Sequence, residues 1–215
     1  ITNIGDDHSE YLGNSFDQKA KTKLGIQKPT TPLFTSEPKI KDFSQHPENI
    51  ILKKYQFDFP NFPKYQTHNY NIAIQLLEHL GFDKKEIVQV IKNTKLPPYR
   101  YQKIKENIYF DACHNAHGIE ALLTSLPEDQ DYVFILSAQK QKNYLEMISM
   151  LKEKGKVYLA NFNFCNTKFS FDAKNAAEQT NTHYLYDISS LSFYSNKTYI
   201  FTGSFYFLKS IEDKL

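Results

Sequence analysis

Arginine is all but missing from this chain. Of 26 basic side chains among 215 residues, only Arg100 is an arginine. The planar, five-donor guanidinium suits phosphate or carboxylate in a way the compact lysine ammonium does not. A chain that uses lysine everywhere else therefore marks Arg100 as a candidate functional residue. Glycine is scarce too, at seven residues. Neither G-x-x-x-x-G-K-[ST] nor G-x-G-x-x-G occurs, which excludes a phosphate-cradling P-loop or a dinucleotide fingerprint within these residues. If the chain uses ATP, something outside it must hold most of the triphosphate. Two cysteines, Cys113 and Cys165, make no disulfide framework, and a reducing, cytoplasmic setting is the expectation. Apolar runs such as Tyr132–Leu136 are far too short to span a bilayer, and no secretory signal opens the sequence, so no membrane partner is expected. A net charge of +2 gives no reason to expect nucleic acid.

What is present reads as a folded α/β protein. The apolar and aromatic content is that of a chain with a core. The opening "ITNIG" reads as the end of a buried strand, so the expectation is a fragment or C-terminal portion of something longer. Residues 14–26 look helical, with Ser15 and Gln18 forming a capping box and Gly25 a stop. "TPLFTS" and "NIILKKYQF" read as strands. Residues 67–82 form an amphipathic helix capped by Thr67 and closed by Gly81; residues 83–94 form a second, with Asp83 as N-cap. The two prolines of "KLPPYR" place a linker at 94–99.

Beyond that linker strands and helices alternate. Two strands joined at Glu106-Asn107 are followed by helices at 115–126, 143–154 and 171–180 and a last one from Phe205. Strands at 131–138, 156–161, "HYLYD" and 197–203 lie between them. That rhythm predicts a mostly parallel, doubly wound sheet, in which ligands sit beyond the carboxyl ends of the strands. Two domains are expected, 1–94 and 95–215.

Polar residues gather where strands are expected to end. "GDDHSE" sets His8 among Asp6, Asp7 and Glu10, a set that could take a divalent metal or simply form a solvated turn. "DACHNAH" carries Asp111, Cys113, His114 and His117; without a second Cys/His pair, structural zinc is not expected. "TGSFYF" puts Gly203 and Ser204 between a strand and a helix, where backbone N–H groups could favour an anion.

Taken in order, these blocks resemble the folylpolyglutamate synthase/dihydrofolate synthase branch of the Mur ligase superfamily. "ITNIGDDHSEYLGNS" resembles its strand–loop block ending in Asp-His and Leu-Gly. "KAKTKLGIQKPTTPL" is similar to its Glu-Lys-Ala-Gly-Ile-x-Lys block, and "YQTHNYNIA" to its His-Gln-x-x-Asn-Ala helix start. "LPPYRYQKI" resembles its Pro-Gly-Arg strand, "YFDACHNAHGIEAL" its Asp-Gly-Ala-His-Asn-Pro block and "FTGSFYFL" its closing Thr-Gly-Ser-Leu-Tyr block.

The resemblance implies the C-terminal part of a central ATP-binding domain followed by a Rossmann-like glutamate-ligase domain. It implies an ATP-dependent ligase that adds L-glutamate to dihydropteroate or folate through an acyl phosphate, with Mg2+ and ATP. In that reading His8 ligates a magnesium and Lys23 carries a carbamate that makes it a metal ligand. Asn69 touches the nucleotide base, Arg100 holds ATP phosphates and Asp111 contacts the ribose or phosphate region. His114 and Ser204 lie near the incoming glutamate, and Lys142 matches the lysine of an Asp-Lys-Asp patch. A monomer is expected, with hinge motion about residues 94–99. Because the P-loop region is missing, the chain alone is expected to be inactive.

The family pattern is broken at several positions. Thr22 stands where it has Glu, Tyr99 and Ala112 where it has Gly, and both acids flanking Lys142 are gone; the stretch between Lys28 and Tyr65 is short. Two alternatives remain open: a Mur-type ligase acting on a cell-wall precursor, and a non-catalytic remnant that binds nucleotide weakly.

Overall fold

In the computed structural model the chain divides into two compact units, Ile1–Lys95 and Leu96–Leu215. The residues described are 1–2, 4–5, 12–13, 15–52, 57, 59, 62–164, 167–168 and 170–215. His8 and its acidic neighbours, and Cys165, lie outside them.

The first unit is mainly helical. Helix α1 (Phe16–Leu24) opens with the capping box expected from Ser15 and Gln18: each side chain takes the other's backbone N–H, which satisfies two orphan donors of the first turn. Two short strands, β1 (Leu33–Phe34) and β2 (Ile50–Ile51), pair in parallel. Only Ile50–Ile51 of the expected long strand "NIILKKYQF" is described as strand. Helix α2 (Lys64–His79) starts earlier than its apolar pattern suggests. Pro63, with φ fixed near the helical value, stands just before the first turn, so Thr67 is an interior residue rather than the cap. Gly81, at φ +94°, ends the helix in the left-handed conformation only glycine adopts freely. Helix α3 (Lys84–Lys92) is capped as expected by Asp83, whose carboxylate accepts from the N–H groups of Lys85 and Glu86.

The second unit is built on a six-stranded sheet of order β3-β4-β10-β5-β6-β9. The strands are β3 (Gln102–Lys105), β4 (Ile108–Asp111), β5 (Tyr132–Leu136), β6 (Gly155–Ala160), β9 (His183–Leu185) and β10 (Thr198–Thr202). All pairings are parallel except the hairpin β3–β4. A small antiparallel pair, β7 (Asn163–Phe164) and β8 (Thr167–Lys168), was not foreseen from the sequence. The helices are α4 (Ala116–Leu123), α5 (Tyr144–Lys154), α6 (Ala173–Thr180) and α7 (Phe205–Ile211).

Strand side chains alternate between the two faces of the sheet, and the core divides accordingly. Tyr132, Phe134 and Leu136 face a cluster with Ile119 and Leu122 of α4, Met147, Ile148 and Leu151 of α5 and the alanines of α6. Val133 and Ile135 face the other cluster, with Phe110, Phe201 and the α7 residues Phe207, Leu208 and Ile211. Three helices therefore cover one face and α7 the other. The neighbouring strands β4 and β10 send their following helices, α4 and α7, to opposite faces. Such a divergence opens a crevice at the carboxyl ends of the two strands.

Candidate functional site

The carboxyl ends of β4, β10 and β5 are where the second unit gathers Asp111, Thr202, Ser137 and Ser204. Asp111 ends β4 directly opposite Thr202 at the end of β10, and Thr202 in turn pairs with Leu136 of β5. The Thr202 hydroxyl donates to the Cys113 carbonyl at 3.4 Å, and Ser137 N–H donates to the Thr202 carbonyl at 3.0 Å. Gly203 follows at φ +109°; a Cβ there would meet the Ser137 carbonyl oxygen at 2.5 Å. Only glycine lets the chain turn so close to the neighbouring strand end.

Asp111 is fully buried, and its two oxygens are used locally. Oδ2 accepts the Tyr101 N–H at 2.9 Å; Oδ1 accepts the Cys113 N–H at 3.1 Å and lies 2.8 Å from the Cys113 thiol. Burial first, and then the carboxylate beside it, push the thiol pKa well above its usual range, while the nearby positive charge of Arg100 works against that rise. The thiol has one proton to give and two acceptors in reach, the second being the Gly118 carbonyl at 3.0 Å.

Arg100 sits at the start of the hairpin, beside the carboxyl end of β4 because β3 runs the opposite way. Its guanidinium lies over the Phe205 ring, 4.9 Å from the centroid. The residues on either side are unusual: Tyr99 has φ +59° and Tyr101 φ +49°. A left-handed conformation costs a residue with a Cβ roughly 1–2 kcal/mol. Position 99, where the family pattern has glycine, thus keeps a glycine-like backbone while carrying a tyrosine. Several tertiary bonds hold the turn in place. The Ala112 N–H donates to the Tyr99 carbonyl at 2.8 Å, and the Tyr99 N–H donates to Gln102 Oε1 at 2.9 Å. The Tyr99 phenol donates to Glu212 Oε2 at 2.8 Å, and Lys209 Nζ donates to that same oxygen at 2.8 Å. Tyr101 stacks on Tyr109 with centroids 4.8 Å apart, and burial raises its phenol pKa.

His114 and Ser204 belong to the same strand-end cluster. His114 Nδ1 lies 3.2 Å from the Ala112 carbonyl. Ser204 is buried, and its hydroxyl accepts the Tyr206 N–H at 3.2 Å as the cap of α7. Asn115 caps α4 by accepting the Gly118 N–H at 2.7 Å. Lys142 lies in the turn before α5.

Lys23 and Asn69 lie in the first unit. Lys23 is half-buried in the last turn of α1. Lys19, one turn earlier on the same helix, is fully buried, a feature that no spacing argument singled out. Asn69 is exposed on α2, and its Nδ2 donates to the buried Gln66 at 2.8 Å. Among the described residues no three His, Cys, Asp or Glu side chains come together as a metal site. Among them, too, no helix is long and apolar enough to cross a membrane.

No protein-family model matches the chain. Among curated proteins, the dihydrofolate synthase/folylpolyglutamate synthase of Bacillus subtilis (strain 168) is 25% identical over an alignment of length 265, which covers 100% of this chain and 62% of that protein. The chain is related to folylpolyglutamate synthase/dihydrofolate synthase. Solved structures share its fold. E. coli FolC in complex with DHPP and ADP superposes with a TM-score of 0.82 at 17% identity, over 99% of this chain and 59% of that one. The bifunctional folylpolyglutamate synthase/dihydrofolate synthase of Yersinia pestis, complexed with AMPPNP and a Mn ion, gives 0.79 at 17% identity over 99% and 60%. Mycobacterium tuberculosis folylpolyglutamate synthase, complexed with ADP and AMPPCP, gives 0.71 at 18% identity over 95% and 60%. The chain thus spans about three fifths of the length of these relatives.

Proposed function

We propose that this chain is part of an ATP-dependent carboxylate–amine ligase that adds L-glutamate to a pteroate or folate carboxylate. The observation that carries the reading is the relation to dihydrofolate synthase/folylpolyglutamate synthase over the whole chain. It is supported by the position of Arg100, the one arginine, in a strained turn at the carboxyl end of the parallel sheet.

In this reading the acceptor carboxylate attacks the γ-phosphate of ATP, ADP leaves, and an acyl phosphate results. The amine of glutamate then attacks the acyl carbon and phosphate departs with the bond it shared. Most of the catalysis is placement and charge compensation. Arg100 meets a phosphate of ATP with its bidentate fork. Asp111, buried and already accepting from the turn, acts by holding the Arg100 loop. His114 and Ser204 flank the glutamate, and Asn69 meets the base. The divalent metal expected to accompany ATP would be held by His8 and a carbamate on Lys23. Unmodified Lys23 offers only an ammonium, and the described residues do not by themselves form a site for the ion; no step here runs through it.

The test is ATP-dependent incorporation of labelled glutamate by the protein at its full natural length, with dihydropteroate and tetrahydrofolate offered separately. Incorporation with either is expected. Arg100→Lys exchanges a two-bond fork for a point charge and is expected to lower kcat/KM for ATP by about 10- to 100-fold. Lys105→Met, an exposed change on β3, should leave the rate as it is. No incorporation with either acceptor overturns the folate reading, and an unaffected Arg100→Lys rate overturns the role of Arg100.

A further inference from the structure

The turn that carries Arg100 is tied down at a point far from it in sequence. Left-handed tyrosines on both sides of Arg100 would relax to ordinary backbone if nothing opposed them, and Arg100 would turn away with them. On the β4 side the opposition comes from Asp111, which accepts the Tyr101 N–H. On the other side it comes from the end of α7. The Tyr99 phenol reaches Glu212, and Lys209 holds that carboxylate from one helical turn away. The ring of Tyr99 also meets Phe205 edge-on, with centroids 5.9 Å apart, and Phe205 is the ring that carries the Arg100 guanidinium.

We propose that Tyr99 is a positioning residue for Arg100, acting through its hydrogen bond to Glu212. This deepens the ligase reading and rests on it for its functional consequence. Where a glycine would leave the turn free to sample either hand, tyrosine adds a side-chain tether that selects one. The second hydrogen bond on Glu212, from Lys209, keeps the acceptor in place.

A single arginine makes the tether directly observable. In the protein labelled with 15N-arginine, the Arg100 Nε–H signal is the one that Arg100→Lys removes, so the mobility of Arg100 can be followed. Tyr99→Phe keeps the ring against Phe205 and removes only the hydroxyl. It is expected to speed exchange of the Arg100 Nε–H by roughly fivefold, the population change that loss of one net hydrogen bond gives. Glu212→Ala should do the same. Glu212→Gln keeps an acceptor for the phenol and should behave as wild type. If Tyr99→Phe prevents folding, the Glu212 pair carries the comparison from outside the turn. In the incorporation assay, kcat/KM for ATP should fall roughly fivefold in Tyr99→Phe, with no further loss when the change is made on Arg100→Lys. A purely structural role would lower the melting point but add its loss equally on both backgrounds.

An Nε–H signal unchanged by Tyr99→Phe and Glu212→Ala overturns the tether, whether or not the protein makes the amide. A changed signal in a protein that joins glutamate to neither acceptor overturns the ligase reading and leaves the tether standing.

Discussion

Replacing Asp111 by Asn tests whether the buried carboxylate organises the site. Asn keeps the size and shape of Asp but exchanges one acceptor oxygen for an NH2 donor. The native carboxylate accepts at both ends, from Tyr101 N–H on Oδ2 and from Cys113 N–H on Oδ1. Whichever way the amide is turned, one of those backbone donors faces another donor. At a position with no solvent exposure, that leaves an N–H without an acceptor. An orphaned buried donor costs about 2 kcal/mol, which for a unit of this size corresponds to a fall in melting temperature of roughly 8 °C. If the amide leaves Tyr101 unpaired, the strained turn relaxes as well, and activity falls with stability. Asp111→Ala, which removes the acceptor for both donors, should cost more than Asp111→Asn. The melts can be followed by near-ultraviolet circular dichroism of the tyrosines, since the chain has 15 of them and no tryptophan. A drop of less than about 2 °C for Asp111→Asn, well below what one orphaned donor costs, would refute the argument.

Three further outcomes concern the second unit. Tyr132 has its pKa raised to about 12, first by burial and then by Asp129 and Glu128. The unfolded state begins to lose this proton near pH 10 while the folded state keeps it, so stability is intact below about pH 10 and declines as pH climbs towards 12. Urea midpoints across that window should fall less in Tyr132→Phe than in the wild type. The Cys113 thiol, buried with its pKa raised, should resist alkylation in the folded chain; in a Cys165→Ser background, labelling before urea unfolds the protein would contradict its placement. Gly203→Ala meets both an unfavourable φ and the Ser137 carbonyl, and should lower stability by roughly 2–4 kcal/mol at an unchanged urea slope.

The local signals in the sequence translated well where the chemistry was itself local. A capping box needs only Ser15, Gln18 and their own two N–H groups, and Asp83 needs only the turn it caps. The start of α2 was missed because the apolar rhythm begins only after a polar first turn, Lys64 to Gln66, that Pro63 had already set up. The alternation of strands and helices announced a mostly parallel sheet, and the sheet is there. Its strand order was not legible, since which strands become neighbours is decided by packing across the whole unit. At the candidate site, the isolation of Arg100 among lysines drew attention to a turn beside the carboxyl end of β4. Its backbone could not be foreseen, because tyrosine disfavours positive φ and the bonds that hold it there come from Gln102 three residues on and from the distant Asp111, Ala112 and Glu212.

The place of β10 in the sheet bears on how this chain is made. It is the last strand in sequence, yet it lies between β4 and β5, pairing Tyr199 with Ile108 on one side and Val133 on the other. As the chain leaves the ribosome, β4 and β5 emerge with a slot one strand wide between them. Each presents an unsatisfied edge there until the residues up to Thr202 arrive. Unpaired inner edges rich in Phe, Ile and Tyr invite pairing with other chains. Loss of β10 would accordingly split the sheet down its middle instead of trimming its rim, and until β10 closes the slot this unit offers two strand edges to other chains.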